Sequence, residues 1–334
     1  MSRPDSPLLR APRNPVIDRL GRPCALLRSA LRHVALDTGR IGELARELCD
    51  HPPALPPWEH LHLPEEPGPD LDAIVWLGNA INFCYWVPEG EEMWSVEAGG
   101  RREVDAMALF GALRNALDAG IELGDGRYLV EEGPEGPRRI FEQGSGALQL
   151  RERRIAILQA IGRNLNREFG GRLENAVAAA PADASGHARF LARTFPSYED
   201  SRVHSGVRLT FLKRAQLAAG MLHGRRVALG AAGLEAPERL TVYADYMLPR
   251  ALRAEGVIAY SDELARRVHS LIPLPAGGPE ETEIRIATVA ACHLLVERAR
   301  ELGAELDGMR LDFLLWRRGF GVDAPHHRTV TTDY

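Results

Sequence analysis

The tract PRALRAEGVIAYSDELARRVHS, residues 249–270, sets the architecture. Pro249 suits the first position of a helix, and Gly256 suits the residue just past its end. Val257 to Tyr260 leaves room only for a short connector. Ser261 then offers an N-cap oxygen, with Asp262 and Glu263 at the positive end of a second helix. The tract reads as helix, short hairpin, helix. Just before it, LTVYADY (240–246) places one acid, Asp245, between Tyr243 and Tyr246. A carboxylate beside aromatic rings costs free energy to ionise unless it is paired.

The helical period extends in both directions. Met107, Phe110, Leu113 and Leu117 predict a helix over 105–119, closed by Gly120. Ile155, Leu158, Ile161, Leu165 and Phe169 predict another over 152–169. Residues 206–222 and 239–247 read as helical, less cleanly. A long helix is expected from Pro279 to Leu302, opened by Glu280, Glu281 and Glu283 and closed by Gly303, and Leu311 to Arg318 begins one more. Strand signals are few: 72–77, 82–86 and 127–130. Pro52 to Pro69 reads as an extended loop. The expectation is a mostly α protein with a minor β element. Residues 1–25 would form an N-terminal extension, and 26–334 a single domain with one shared core.

The 334 residues carry a formal net charge of -5 and 26% charged residues. That balance disfavours a dedicated duplex nucleic-acid binder, which needs a basic face. It leaves room for a phosphorylated small molecule in a local cationic pocket. Cys24, Cys49, Cys84 and Cys292 form no C-x-x-C pair and no zinc spacing, and two or three are expected as buried thiols. No apolar run approaches the roughly 18 residues of a membrane span. The N-terminus has no signal-peptide pattern. A cytoplasmic monomer without metal or organic cofactor is the expectation.

Lys213, in TFLKRAQ (210–216), is the single lysine in a chain with 41 Lys plus Arg. A position that keeps lysine where arginine serves everywhere else points to a compact ammonium that a planar fork cannot replace. The plain alternative is survival by chance on a solvated face, which the neighbours Phe211 and Leu212 oppose. Asp245 can stabilise a sugar cation or attack a sugar carbon. Its ordinary reading is an N-cap, and structural acids outnumber catalytic ones. INFCYW (81–86) concentrates aromatic faces, with Trp94 nearby. Such faces suit stacking on a heterocycle or plain core packing. The histidines of WEHLH (58–62) and His326-His327 lack the spacing of a zinc helix. Glu281 and Arg285 form an i, i+4 pair. Asp312, in LDFLLW (311–316), can accept two hydrogen bonds from an amidine-like base edge. No P-loop, dinucleotide fingerprint or serine-hydrolase elbow occurs.

Taken in order, INFCYW (81–86), TFPSYED (194–200), FLKRAQ (211–216), YAD (243–245), GVIAYS (256–261), ETEIR (281–285) and LDFLLW (311–316) resemble one family, the queuosine salvage proteins. The likeness runs over roughly residues 30 to 334. It implies a mostly helical fold similar to helix-hairpin-helix DNA glycosylases. It further implies hydrolysis of the N-glycosidic bond of queuosine 5'-monophosphate, with queuosine as a second candidate substrate. The product would be queuine, a 7-deazaguanine reused in tRNA modification. By position, Asp245 matches the catalytic aspartate, and Tyr243, Asp312, Phe313 and His62 match ligand-contacting residues. Arg317 departs from the pattern, since some relatives carry an acid there. That removes support for any contact from this position to the cyclopentenediol arm of the base. Lys213 and Arg328 are the candidates for the 5'-phosphate. Two other readings are a DNA or RNA base glycosylase on the same scaffold and a non-enzymatic binder of a modified base.

The lone-lysine argument is directly testable. Lys213→Arg is expected to cut kcat/KM by at least about 10-fold, the scale of one lost charge-assisted contact. Full activity in that variant would remove the argument.

Overall fold

In the computed structural model, which describes residues 31–56, 58–133 and 135–334, helices carry most of the chain and strands occur only as antiparallel pairs. The 1–25 extension, Cys24 and the His60 side chain lie outside the described residues. The helices are α1 (Thr38–Asp50), α2 (Pro69–Ala80), α3 (Asp105–Asp118), α4 (Gly126–Val130), α5 (Arg138–Glu142), α6 (Arg151–Glu168) and α7 (Leu173–Ala179). They continue as α8 (Ala184–Thr194), α9 (Lys213–Ala228), α10 (Met247–Ala254), α11 (Asp262–His269), α12 (Pro279–Glu301) and α13 (Gly308–Phe320). Strand β1 (Val34–Leu36) reaches across the chain to pair with β6 (Ile258–Tyr260). β2 (Ser95–Ala98) with β3 (Arg101–Val104), and β4 (Ser201–His204) with β5 (Val207–Thr210), are local hairpins. Among the described residues no helix is long and apolar enough to cross a membrane.

Where one shared core is expected, the buried side chains divide into two clusters. The first gathers α2 to α9 around Trp76, Phe83, Phe110 and Leu158. The second gathers α1 and α10 to α12, with most of α13 and the β1–β6 pair, around Leu44, Leu248, Ile284 and Leu295. Residues 240–246 run along the seam. Tyr243 packs into the first cluster, and its neighbours Val242 and Ala244 pack into the second. Extended backbone turns successive side chains to opposite sides, which suits a segment held between two cores. The helix expected over 239–247 is therefore absent, and a single 3-10 turn, Pro237–Arg239, precedes the extended run.

This segment has no strand partner, so side chains take its backbone hydrogen bonds. Thr241 N–H donates to Gln216 of α9 (2.9 Å), and Tyr243 N–H donates to Asp312 of α13 (2.7 Å). Arg285 of α12 donates to the Ala244 carbonyl (3.3 Å). Residues 82–86, expected as a strand, are irregular for the same reason. Arg154 of α6 donates to the carbonyls of Ile81, Phe83 and Cys84, and Cys84 N–H donates to the Tyr334 carbonyl.

Other expectations change in register. The run 72–77 lies in α2, whose residues Leu71 to Ala80 are all buried. A helix apolar all round shows no 3.6 period, and Ile74 and Val75 imitate a strand. Residues 127–130 are the short helix α4, capped by Asp125, which receives Arg127 N–H (2.7 Å). The helix expected from 206 starts only at Lys213, because Gly206, at φ +77°, turns the β4–β5 hairpin. Pro249 is the third residue of α10 rather than the first, while Gly256, at φ +72°, follows its end as expected. The connector 257–260 contains β6, and Ser261 caps α11 by accepting Leu264 N–H (3.4 Å). α12 closes at Leu302 and Gly303 as read.

One buried ion pair ties the two halves. Arg285 donates to both oxygens of Asp200 (2.8 and 2.6 Å). Asp200 Oδ2 also receives Lys213 N–H at the start of α9 (3.1 Å). Arg285→Leu leaves the buried Asp200 without its bidentate partner, with Arg202 acting on it only through space. We expect it to lower unfolding stability by about 3–5 kcal/mol, read as a lower urea midpoint; an unchanged midpoint would refute that role.

Candidate active site

A cavity opens at the seam between the two clusters. Its walls combine apolar and aromatic surface with three aspartates and one lysine. This is the lining expected of a small-molecule site: mostly apolar, with a few placed polar groups.

Asp245 ends the extended segment and turns into α10. Its Oδ1 receives the N–H groups of Met247 (2.7 Å) and Leu248 (3.1 Å), so the helix-capping reading and the cavity-lining position hold together. Burial pushes its carboxyl up, while Lys213 and the two N–H donors pull it down. Lys213 is buried as the first residue of α9, after Leu212 turns the chain at φ +51°. Burial lowers its ammonium and the facing carboxylates Asp245 and Asp312 raise it. Asp312 projects from α13, buried, with Oδ1 fixed by Tyr243 N–H. Burial, reinforced by Asp245, holds its carboxyl well above the usual range.

Tyr243 and Phe313 supply aromatic wall. The Tyr243 hydroxyl is buried without a hydrogen-bond partner among the described residues. It sits against Gly220 of α9, where a Cβ would collide with it. Phe313 meets Trp58 edge-on, with ring centroids 5.7 Å apart, and stacks near Trp316 at 6.1 Å. Tyr246, stacked on His326 at 4.4 Å, and Tyr334 of the C-terminal segment complete that side. Of INFCYW, Asn82 and Tyr85 line the cavity, joined by a 2.8 Å hydrogen bond. Phe83 packs under Arg154 instead, and Trp94 packs on Phe141.

The sequence-expected residues thus divide. Asp245, Tyr243, Asp312, Phe313 and Lys213 converge on one cavity. His62 does not line it. Its imidazole is 2.9 Å from Glu103 and packs between Gly99 and Gly111. Arg328 lies over the Trp86 ring at 5.3 Å, outside the lining residues. A shallower hollow beyond Trp316 is bounded by Arg101, Glu103, Met107, Arg317 and Phe320. Among the described residues no three His, Cys, Asp or Glu side chains group as a metal ion would need.

Asp105 was not legible as a site residue. It opens α3 at φ +61°, a left-handed backbone that costs a non-glycine residue on the order of 1 kcal/mol. Its Oδ1 receives its neighbour's N–H, from Ala106 (2.9 Å). Burial and the Asp245 charge push its pKa up to about 6. An acid at the start of a helix is the commonest of placements, so nothing in its spacing marked it.

Asp312 carries a pH-dependent consequence. Its folded pKa lies above the unfolded one, so keeping it ionised costs stability once pH exceeds the unfolded value. Asp312→Asn keeps an acceptor for Tyr243 N–H and removes that cost. We expect its Tm at pH 7 to exceed wild type by roughly 1–3 °C, with the difference vanishing below about pH 3, where the carboxyl is protonated in both the folded and the unfolded chain. A variant less stable at pH 7 would contradict the ionisation account.

Comparison with known proteins bears on this arrangement. Residues 65–334 match a family model described as queuosine salvage protein. A Sphaerobacter thermophilus protein named queuosine 5'-phosphate N-glycosylase/hydrolase is 32% identical over 305 residues, covering 90% of this chain and 93% of its own. A Mus musculus protein of the same name is 30% identical, covering 81% and 85%. One from Dictyostelium discoideum is 29% identical, covering 77% and 76%.

Proposed function

This chain belongs to the queuosine salvage protein family, and from that premise we propose that it hydrolyses the N-glycosidic bond of queuosine 5'-monophosphate to release queuine. The observation that carries the reading is the convergence of Asp245, Lys213 and Asp312 in one aromatic-walled cavity. Queuosine is the second candidate substrate.

As the bond to the base breaks, the ribose gains oxocarbenium character. Asp245, whose carboxylate form Lys213 and two backbone donors favour against the opposing effect of burial, stabilises that cation or traps it covalently. The apolar wall strengthens the attraction by lowering the local dielectric. A 7-deazaguanine lacks N7, so departure by N7 protonation is closed. Departure must be eased in another way, and Asp312, an acceptor at the pyrimidine edge, serves to recognise and hold the base rather than to protonate it. Facing N1–H and the exocyclic amine, Asp312 would give up its proton and accept two hydrogen bonds. Phe313 and Tyr243 would hold the base by stacking. Lys213 is the candidate for the 5'-phosphate as well as the partner of Asp245. His62 would act through Glu103 at the outer hollow. The order α10, β6, α11 supports a scaffold similar to helix-hairpin-helix DNA glycosylases, and we take that finer likeness as part of the proposal.

The test is chromatographic. Purified protein is incubated with queuosine 5'-monophosphate, queuosine and guanosine 5'-monophosphate, and free base is measured. Queuine is expected from the queuosine substrates alone, with Asp245→Asn slower by about 10²–10³-fold. Intact nucleotide that stays bound would make the chain a binding protein. Release from nucleic acid that weakens steeply with salt would make it a nucleic-acid base glycosylase.

A further inference from the structure

We propose that Asp105 is the anionic partner of the cationic side arm of the substrate base, and so a determinant of specificity for 7-deazaguanines that carry an amine. The inference rests on the hydrolase reading above and adds a recognition group that the reaction does not require.

The three cavity aspartates share one arrangement. Each has one oxygen held by backbone N–H, from Ala106 for Asp105, from Met247 and Leu248 for Asp245, and from Tyr243 for Asp312. In each, the second oxygen has no hydrogen-bond partner among the described residues. Asp245 and Asp312 have roles in bond breaking and in holding the pyrimidine edge. Asp105 has none, yet it lines the same cavity and holds a left-handed backbone to do so. Strain of that kind at a cavity wall persists where the side chain's direction matters.

Charge indicates what it meets. With all three carboxylates ionised, Lys213 alone cannot balance them. Asp105 reaches the cavity from the start of α3 and Asp312 from α13, and Asp245 and Lys213 line it with them. A base whose pyrimidine edge is on Asp312 and whose glycosidic bond is over Asp245 turns its five-membered ring toward Asp105. Queuine carries there, on C7, an aminomethyl arm whose secondary amine is cationic at neutral pH. Burial and Asp245 hold the Asp105 pKa near about 6, against the opposing pull of Lys213 and Arg154, and a bound ammonium would restore full ionisation.

The surroundings leave few rivals for this contact. Two residues upstream, Glu103 bounds the outer hollow but is already paired with His62 and Arg101. Arg317, across that hollow, repels an ammonium. The arm would thus pass from the cavity by Asp105 toward Trp316, which borders both spaces.

The experiment measures selectivity. Wild type, Asp105→Asn and Asp105→Gly are compared on queuosine 5'-monophosphate and on 7-deazaguanosine 5'-monophosphate, which lacks the arm. Asparagine and glycine both accept the left-handed backbone, and thermal unfolding checks that each variant folds. The ratio of kcat/KM between the two substrates is expected to fall about 10- to 100-fold in both variants, the scale of one charge-assisted hydrogen bond. A ratio equal to that of wild type, whatever the absolute rates, would overturn the proposal. Calorimetric binding of queuine and of 7-deazaguanine reads the same ratio without turnover. Should wild type cleave neither nucleotide, the hydrolase reading fails, while the binding ratio still decides the role of Asp105.

Discussion

The Asp200–Arg285 pair is the constraint on which the site depends. Both side chains are buried, and replacing such a pair by apolar residues is often neutral or stabilising. Its importance here is geometric. Arg285, from the first third of the long α12, reaches Asp200 with two nitrogens and the Ala244 carbonyl with the third. Asp200 in turn receives the first N–H of α9, and its own carbonyl receives Phe211 N–H (2.9 Å). The guanidinium is packed against the rings of Phe211 (4.1 Å) and Tyr334 (4.9 Å). Lys213 carries one of these anchors in its own N–H, and Asp245 directly follows the Ala244 anchor. The pair therefore sets how the ammonium faces the carboxylate, as a planar bidentate contact can and a point charge cannot.

The seam between the two clusters explains why polar side chains do the work of a sheet. A segment shared by two cores cannot join a ladder without pushing one core away. Residues 240–246 are instead held by Gln216, Asp312 and Arg285, one from each of three helices. Buried backbone groups must find partners, so each of these side chains is committed by the fold. Asp312 is committed twice, once to Tyr243 N–H and once to the cavity. The same coupling appears at Asp245, which caps α10 with one oxygen. Building an active group into a backbone contact fixes its direction with little loss of side-chain entropy.

Legibility followed the same physics. Helices exposed on one face were readable from their period, as α3 and α6 were, and caps such as Ser261 and Gly303 marked ends correctly. The misses share a cause. α2 is buried all round, so its period vanished, and only Pro69 signalled its start. Residues 82–86 and 240–246 take hydrogen bonds from distant side chains, which no local pattern encodes. β1 and β6 pair across more than 200 positions, beyond any hairpin signal. In the site, an acid set among aromatics exposed Asp245 and Asp312, because a buried carboxylate breaks the expected pattern. Asp105 broke no pattern in sequence. Its oddity is a backbone angle, which only the three-dimensional structure carries.

The single lysine acquires its meaning from the arginines around it. Arg154, Arg214 and Arg285 are buried, and each uses the guanidinium as a fork. Arg154 donates to four carbonyl oxygens, Arg214 to those of Ala80 and Ser197, and Arg285 to a carboxylate and the Ala244 carbonyl. Fixed planar donors suit fixed acceptors. The Lys213 ammonium has no hydrogen bond or ion pair among the described residues, although Asp245 and Asp312 act on it through space. A guanidinium there would demand partners in its own plane and would draw both aspartates into a structural network like that of Asp200. An ammonium imposes no plane. It favours the carboxylate form of Asp245 while leaving the carboxylate's second oxygen free for a sugar, which is what a group acting on a transient cation requires.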